Sequence, residues 1–345
     1  MKTWSIVLAG GEGERLKPFV RAWMGEGVPK QYCAFTGTRS MLEHTLSRAD
    51  RVSGPTRRVT VIGRNHLPFV GPKFARKEAG KVLLQPANRD TAPGIFFPLT
   101  YVRAADPDAT VVIFPSDHFI FPEDRFIAQV RAAAAAAREL HDRVILLGVV
   151  PETAEPEYGW IDPGADLGPV RAGHVRAVRA FIEKPDATTA QTARVRGGLW
   201  NSFVMTAQVE TLWRMGHECF PDMMQLFETL GDVIGTAVEG PVLESIYQTL
   251  TPSNFSSGLL QRMPERVAVM ELKDVLWSDW GRPERIAESI RSIGRKPAFP
   301  EAVQTAVARS TFHSARWDGR PDLTRVARSP GPSMKPSATA PLGVV

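Results

Sequence analysis

Cysteine is scarce. The chain has two, Cys33 and Cys219, far apart and in no paired motif, which argues against a disulfide framework and a zinc-ligand cluster. No stretch approaches the roughly 18 consecutive apolar residues a membrane span needs. Met1 to Ala9 is too short, and too soon followed by Gly10 and Gly11, for a signal peptide, so a cytoplasmic location is expected. Net positive charge is small and unevenly placed: of the +5 total, Glu301 to Val345 carries +3, with six Lys/Arg against three Asp/Glu. No basic stripe interleaved with aromatics appears, so nucleic acid is not an expected partner. Internal repeats are missing too, including the hexapeptide array that builds a left-handed β-helix.

What is present suits a large folded unit. Hydrophobic residues make up 43% of 345 and charged residues 23%, enough for one large core or one core with a small second lobe. Trp4 to Ala9 is a short apolar run bounded by glycines and reads as a buried strand. Arg58–Ile62, Val82–Gln85, Thr110–Phe114 and Val144–Val149 read as further strands. Between them lie helical patterns. Ser40 and Glu43 form a capping box before Met41–Ala49. Thr91 is placed to cap a helix running to about Ala105, with Pro93 in its first turn. Phe126, Val130, Ala133, Ala137 and Leu140 make one helical stripe.

This alternation predicts an α/β fold, a doubly wound and mostly parallel, Rossmann-like sheet. The pattern is less regular after Pro151, where Arg179–Glu183 reads as a strand and Gln208–Met215 and Pro283–Ile293 as helices. The expected division is a main domain over 1–298, its halves meeting near residue 150, and a C-terminal extension over 299–345, disordered from about 328.

Several motifs carry chemistry. Leu8 to Pro18 takes a strand into a glycine-rich turn, Gly10, Gly11 and Gly13, followed by Arg15 and Lys17, and such a turn lets the backbone approach phosphate. It lacks the Gly-Lys-Ser/Thr of a P-loop, and Leu16 stands where a dinucleotide fingerprint needs its third glycine. Pro29, Lys30 and Gln31 follow closely. Gln85 to Pro93 offers Gln85, Asn88 and Thr91, side chains able to read a base edge at a helix start. Asp117 lies just past a buried strand, on the carboxyl edge where open α/β sheets bind ligands, and one carboxylate plus substrate phosphates is a usual Mg²⁺ site. Its neighbour His118 reads as structural. Glu157–Asp162, Phe181–Pro185 and Leu199–Ser202 follow, and Trp277–Gly281 supplies a second acid, Asp279.

The order of these motifs resembles the sugar-phosphate nucleotidyltransferase family, most closely its mannose-1-phosphate guanylyltransferase branch, over about Ser5 to Ile293. The resemblance implies transfer of a nucleotidyl group from GTP to mannose 1-phosphate, with Mg²⁺ as cofactor. It places the nucleotide in the first half, on Gly10, Gly11, Gly13, Gln85, Asn88 and Thr91. Arg15, Lys30 and Lys184 become the catalytic cations. Tyr158, Gly159, Glu183 and Asn201 would contact the sugar in a smaller sugar-binding portion, and Asp117 and Asp279 would hold the metal.

The same chemistry with UTP or dTTP and glucose 1-phosphate is the alternative, and an inactive regulatory homologue a second one. Both substrates count as partners, neither membrane nor nucleic acid does, and a homodimer is left open. Three departures from the family stand out: a long Pro18–Pro29 segment expected to loosen the phosphate loop, Phe203 where many members have glycine, and Gln261 where many guanylyltransferases have an acid. The tail shows no isomerase domain of the kind bifunctional members carry, so no isomerase activity is expected.

Overall fold

The computed structural model describes residues 2–70, 80–170 and 173–303. One compact unit runs from Met1 to Gln304; the other, Thr305–Val345, lies outside the described residues, as does the disorder expected from about residue 328.

The chain begins with β1 (Thr3–Ala9), α1 (Lys17–Met24) and α2 (Met41–Ser53), then β2 (Arg58–Gly63), β3 (Lys81–Gln85) and α3 (Thr91–Ala105). It continues through β4 (Thr110–Pro115), β5 (Phe119–Phe121), α4 (Glu123–Glu139) and β6 (Val144–Val149). A long antiparallel pair follows, β7 (Trp160–Val170) and β8 (Gly173–Ile182), then α5 (Ala187–Val195) and β9 (Leu199–Gln208). Helices α6 (Val209–Cys219), α7 (Pro221–Val233) and α8 (Glu239–Thr249) precede β10 (Val267–Glu271), β11 (Leu276–Ser278) and α9 (Pro283–Ser292).

Nine of these strands form one sheet in the order β3-β2-β1-β4-β9-β6-β10-β8-β7. From β3 to β4 all pairings are parallel, with Ser5 opposite Arg58 and Thr3 opposite Thr110. Strand β9 runs against both of its neighbours, β4 and β6, so the sheet is mixed beyond β4. Strands β2, β4 and β6 are buried along their whole length, which is why they read as continuous apolar runs rather than alternating ones. Their side chains supply two cores, one on each face. Phe96, Phe97, Met224 and Phe227 of α3 and α7 fill one. Leu42, Ala49, Phe126 and the alanines of α4 fill the other. Ala133, Ala134, Ala136 and Ala137 are all buried, so the alanine run serves close helix–sheet packing.

Two local expectations change. The cap of α3 is Asp90, not Thr91: Asp90 Oδ1 accepts from Thr91 N at 2.6 Å. The Pro18–Pro29 segment is not an open loop. Most of it is α1, closed by Gly25 in the left-handed conformation (φ 81°), with Phe19 and Val20 buried. Phe19 meets Phe299 edge-on at 5.0 Å, and Trp23 and Phe35 join the same aromatic cluster. Burying those rings anchors the segment beside the glycine turn.

Outside the main sheet, β5 and β11 form a two-stranded antiparallel ribbon in which Ser278 faces Phe119. Asp117 stands two residues before β5 and Asp279 one residue after β11. This pairing brings the two acids to one place at the carboxyl edge of the parallel strands.

Candidate active site

Strand β1 delivers the chain into the glycine turn. Gly13 has φ 63°, and a Cβ there would lie 3.1 Å from Lys30 N, so a side chain would be both strained and crowded. Glycine therefore lets the turn lie directly on Lys30. Gln31, which is 2% exposed, donates from Nε2 to Ala9 O at 3.0 Å and Gly11 O at 2.8 Å and clamps the turn from below. The Pro-Lys-Gln motif was visible in the sequence, but no role for Gln31 followed from it.

Five of the residues assigned to the nucleotide, Gly10, Gly11, Gln85, Asn88 and Thr91, line one cavity of about 400 Å³. Gly13 lies apart from it, against Lys30. Gln85 is buried, and its Oε1 is 3.1 Å from where a Cβ on Gly10 would sit. Asn88 Oδ1 accepts from Asp90 N at 2.9 Å and Thr91 Oγ1 from Phe255 N at 2.8 Å, so both side chains also shape the turn.

Lys30 is the pivot of the site. It is 4% exposed. Its Nζ pairs with Asp117 Oδ2 at 3.0 Å and donates to the main-chain carbonyl of Asp279. Burial pushes the Asp117 carboxyl up, but Lys30 and His118 outweigh it and leave it below the usual carboxylate range. His118 Nδ1 lies 3.1 Å from Ser202 O, and its ring meets Trp277 edge-on, consistent with a structural part.

Asp279 is held from several sides. Oδ1 accepts from Tyr158 Oη at 2.6 Å and Gly281 N at 3.0 Å, with Arg285 Nη1 at 3.4 Å. Oδ2 accepts from Arg15 Nη2 at 2.9 Å. Burial raises this carboxyl, but the Tyr158 hydroxyl, Lys30 and Arg15 together bring it down to about 2. Asp279 is thus an anion at neutral pH. Arg15 also pairs with Glu157 at 3.0 Å, and its half-exposed guanidinium is the most open of these partners. A Cβ on Gly281 would lie 2.7 Å from Asp279 Oδ2 and 2.9 Å from Arg15 Nη1, so the Arg15–Asp279 contact needs glycine there. Behind Asp279, Arg285 donates to Tyr158 Oη at 2.5 Å and pairs with the buried carboxylate of Glu155. Neither Glu155 nor Arg285 stood out in the sequence, because neither lies in a recognisable motif.

The residues assigned to the sugar converge in part. A Cβ on Gly159 would lie 2.9 Å from Phe181, 3.0 Å from Glu183 Oε2 and 3.4 Å from Asn201 Cβ, so Gly159, Glu183 and Asn201 form one cluster. Burial raises the Glu183 carboxyl. Gln261 Oε1 accepts from Glu183 N at 3.2 Å, which gives that position a positioning part. Tyr158 is close by in sequence, but its hydroxyl is spent on Asp279 and Arg285. Lys184 is exposed, beside Glu183.

Among the described residues, five non-glycine residues have positive φ: Asp90, Lys184, Phe203, Asp274 and Trp280. Asp90, Lys184 and Trp280 are candidate site residues or their immediate neighbours, and Phe203 N donates to Asn201 Oδ1 at 3.0 Å. Strained backbone thus gathers around the site. Phe203, with φ 58°, stands where the family resemblance led to an expectation of glycine, the residue this conformation favours.

Asp117 and Asp279 offer hard oxygen donors across one amine. Among the described residues no group of three or more His, Cys, Asp or Glu is placed to hold a metal. One or two carboxylates completed by phosphate oxygens is the donor set Mg²⁺ takes, and the pair fits it. No helix among the described residues is long and apolar enough to cross a membrane.

Known proteins are similar to this chain in sequence and in fold. A xanthan biosynthesis protein XanB of Xanthomonas campestris pv. campestris is 34% identical over 200 residues, 57% of this chain and 40% of that protein. A mannose-1-phosphate guanylyltransferase of Sinorhizobium fredii is 28% identical over 290 residues, 80% of this chain and 52% of that protein. The chain thus spans about half the length of these curated relatives or less. A solved structure from Thermus thermophilus, described as a mannose-1-phosphate geranyltransferase, superimposes with a TM-score of 0.71 at 26% identity, covering 84% of this chain and 79% of that one. The sequence profile described as nucleotidyl transferase matches residues 4–295, and the chain belongs to that family.

Proposed function

We propose that the protein is a sugar-1-phosphate nucleotidyltransferase, and specifically that it makes GDP-mannose and pyrophosphate from GTP and mannose 1-phosphate. The observation that carries the chemistry is Lys30, buried between Asp117 and Asp279 and overlain by the glycine turn. The names of the relatives favour mannose 1-phosphate and the guanylyl group.

The nucleophile is an oxygen of the sugar phosphate, already an anion at neutral pH, so no general base is needed. The P–O bond to the α-phosphorus forms as the bond to pyrophosphate breaks in line with it. Two anions have to meet, so the protein's work is positioning and charge neutralisation. In this reading the cavity at Gly10, Gly11, Gln85, Asn88 and Thr91 takes the base and ribose. Lys30 lies by the α-phosphate. Arg15, the most exposed partner of Asp279, swings to the departing pyrophosphate. Gly159, Glu183 and Asn201 hold the sugar, and Lys184 holds its phosphate. Asp117 and Asp279 would hold Mg²⁺, which supplies charge neutralisation on the triphosphate.

The test is pyrophosphate release over a grid of GTP, ATP, UTP and dTTP against mannose 1-phosphate and glucose 1-phosphate. GTP with mannose 1-phosphate is expected to be fastest. A clear preference for UTP or dTTP with glucose 1-phosphate would move the protein to another branch, and no release from any pair would leave it a nucleotide-sugar-binding homologue.

A further inference from the structure

Asp279 sits in the short loop between β11 and α9. The two oxygens of its carboxylate are treated differently. Oδ1 faces inward and receives Tyr158, Gly281 N and Arg285, whereas Oδ2 receives Arg15, whose side chain is 53% exposed. The inner set is anchored further back. Arg285 projects from α9, with its guanidinium carbon 5.2 Å from the Tyr158 ring centroid. It donates to Tyr158 Oη at 2.5 Å and pairs with Glu155. Glu155 has a side chain only 7% exposed, and Arg282 stands 3.8 Å from its other oxygen. Its own segment is fixed by Trp160 Nε1 donating to Glu155 O at 2.8 Å and by Glu157 N donating to Glu155 Oε1 at 3.3 Å. So a buried carboxylate is linked through one guanidinium and one phenol to the acid that faces the site.

We propose that Glu155 and Arg285 are positioning residues which, acting through Tyr158, lock Asp279 Oδ1 and leave Oδ2 as the oxygen presented to a metal–nucleotide complex. The inference rests on reading Asp279 as a metal-holding carboxylate. Arg285 supplies the planar fork the link requires, since its two terminal nitrogens serve Tyr158 and Glu155 at once. Groups that orient a metal-binding side chain without touching the metal typically change its affinity by about ten- to a hundredfold when removed.

The experiment compares the full-length protein with Glu155→Gln and with the double variant Glu155→Gln/Arg285→Met, which leaves neither charge of the pair orphaned. Mn²⁺ binding in the presence of GTP is followed by the electron paramagnetic resonance of free Mn²⁺. Turnover against Mg²⁺ concentration, KM for the sugar phosphate and the melting temperature are measured alongside. The double variant is expected to melt cooperatively, to bind Mn²⁺ about tenfold or more weakly, and to need correspondingly more Mg²⁺ for half-maximal turnover. KM for the sugar phosphate should stay within about threefold, because Glu155 and Arg285 act on Asp279 and not on the sugar. Wild-type Mn²⁺ binding and Mg²⁺ dependence together with a lowered melting temperature would overturn the proposal, since the pair would then only stabilise the fold. A change confined to the sugar-phosphate KM would overturn it as well. If the double variant does not fold, Glu155→Gln alone carries the same decision. Absence of turnover in the wild type would refute the proposed function, while the Mn²⁺ titration would still decide this one.

Discussion

Replacing Lys30 by methionine removes one charge from the centre of the site while keeping most of the side chain's length. At an effective dielectric of about 20, unit charges 3.0 Å apart attract by about 5.5 kcal/mol. Much of this is offset by the cost of burying the ammonium. Asp117 is 37% exposed at its side chain, so water screens it and re-solvates it when the amine is gone. The net loss of stability should be about 1–2 kcal/mol, a fall of a few degrees in melting temperature for a chain of this size. The rate should suffer far more. If Lys30 faces the α-phosphate, its loss removes a preorganised charge where negative charge moves in the transition state, typically about 3–4 kcal/mol or a hundred- to a thousandfold in kcat. Stopped-flow pyrophosphate release at saturating substrates, with calorimetric melting of the same preparations, separates the two effects. A variant that turns over within about fivefold of wild type but melts lower would refute the assignment, because Lys30 would then only tie Asp117 to the Asp279 loop.

Other perturbations test other parts of the site. Asp117→Asn and Asp279→Asn keep shape and lose charge; each should fold, require more Mg²⁺ and lose about a thousandfold in turnover, and near-wild-type Mg²⁺ titrations would count against the pair. Gly159→Ala puts a Cβ 2.9 Å from Phe181 and 3.0 Å from Glu183 Oε2, so KM for the sugar phosphate should rise with that for the nucleotide little changed, as steady-state kinetics with each substrate varied would read. Glu123 pairs with the buried Arg48, and burial raises its carboxyl, but His44 and Arg48 bring it below its ordinary value on balance. A depressed carboxylate stabilises the fold above its unfolded pKa and loses that contribution as pH falls. Glu123→Gln should therefore lower the melting temperature at pH 7, with the gap to wild type closing as pH falls into and below the ordinary glutamate range; a gap that persists at low pH would rule this out.

The first half of the fold was legible in the sequence because its central strands are buried on both faces and helices α2 and α4 each carry one apolar stripe. Trp4–Ala9, Thr110–Phe114 and Val144–Val149 needed no tertiary information, and the capping box at Ser40 is present as read, its Oγ accepting from Glu43 N. The second half was harder. Strand β7 contains Pro163, Gly164 and Pro169, residues that argue against a strand, and it pairs with β8 only through repeated shifts of register. Strand β9 was marked only at Leu199–Ser202, as a motif, and its direction could not be read, since a strand buried between two neighbours looks the same either way round. The order of motifs named candidate site residues one by one. It could not bring Asp117 to Asp279, which the ribbon of β5 and β11 does, or place Lys30 between them. Glu155 and Arg285 were hidden for the same reason: a buried ion pair formed across 130 residues has no local signature, and only the folded chain sets those two charges behind Asp279.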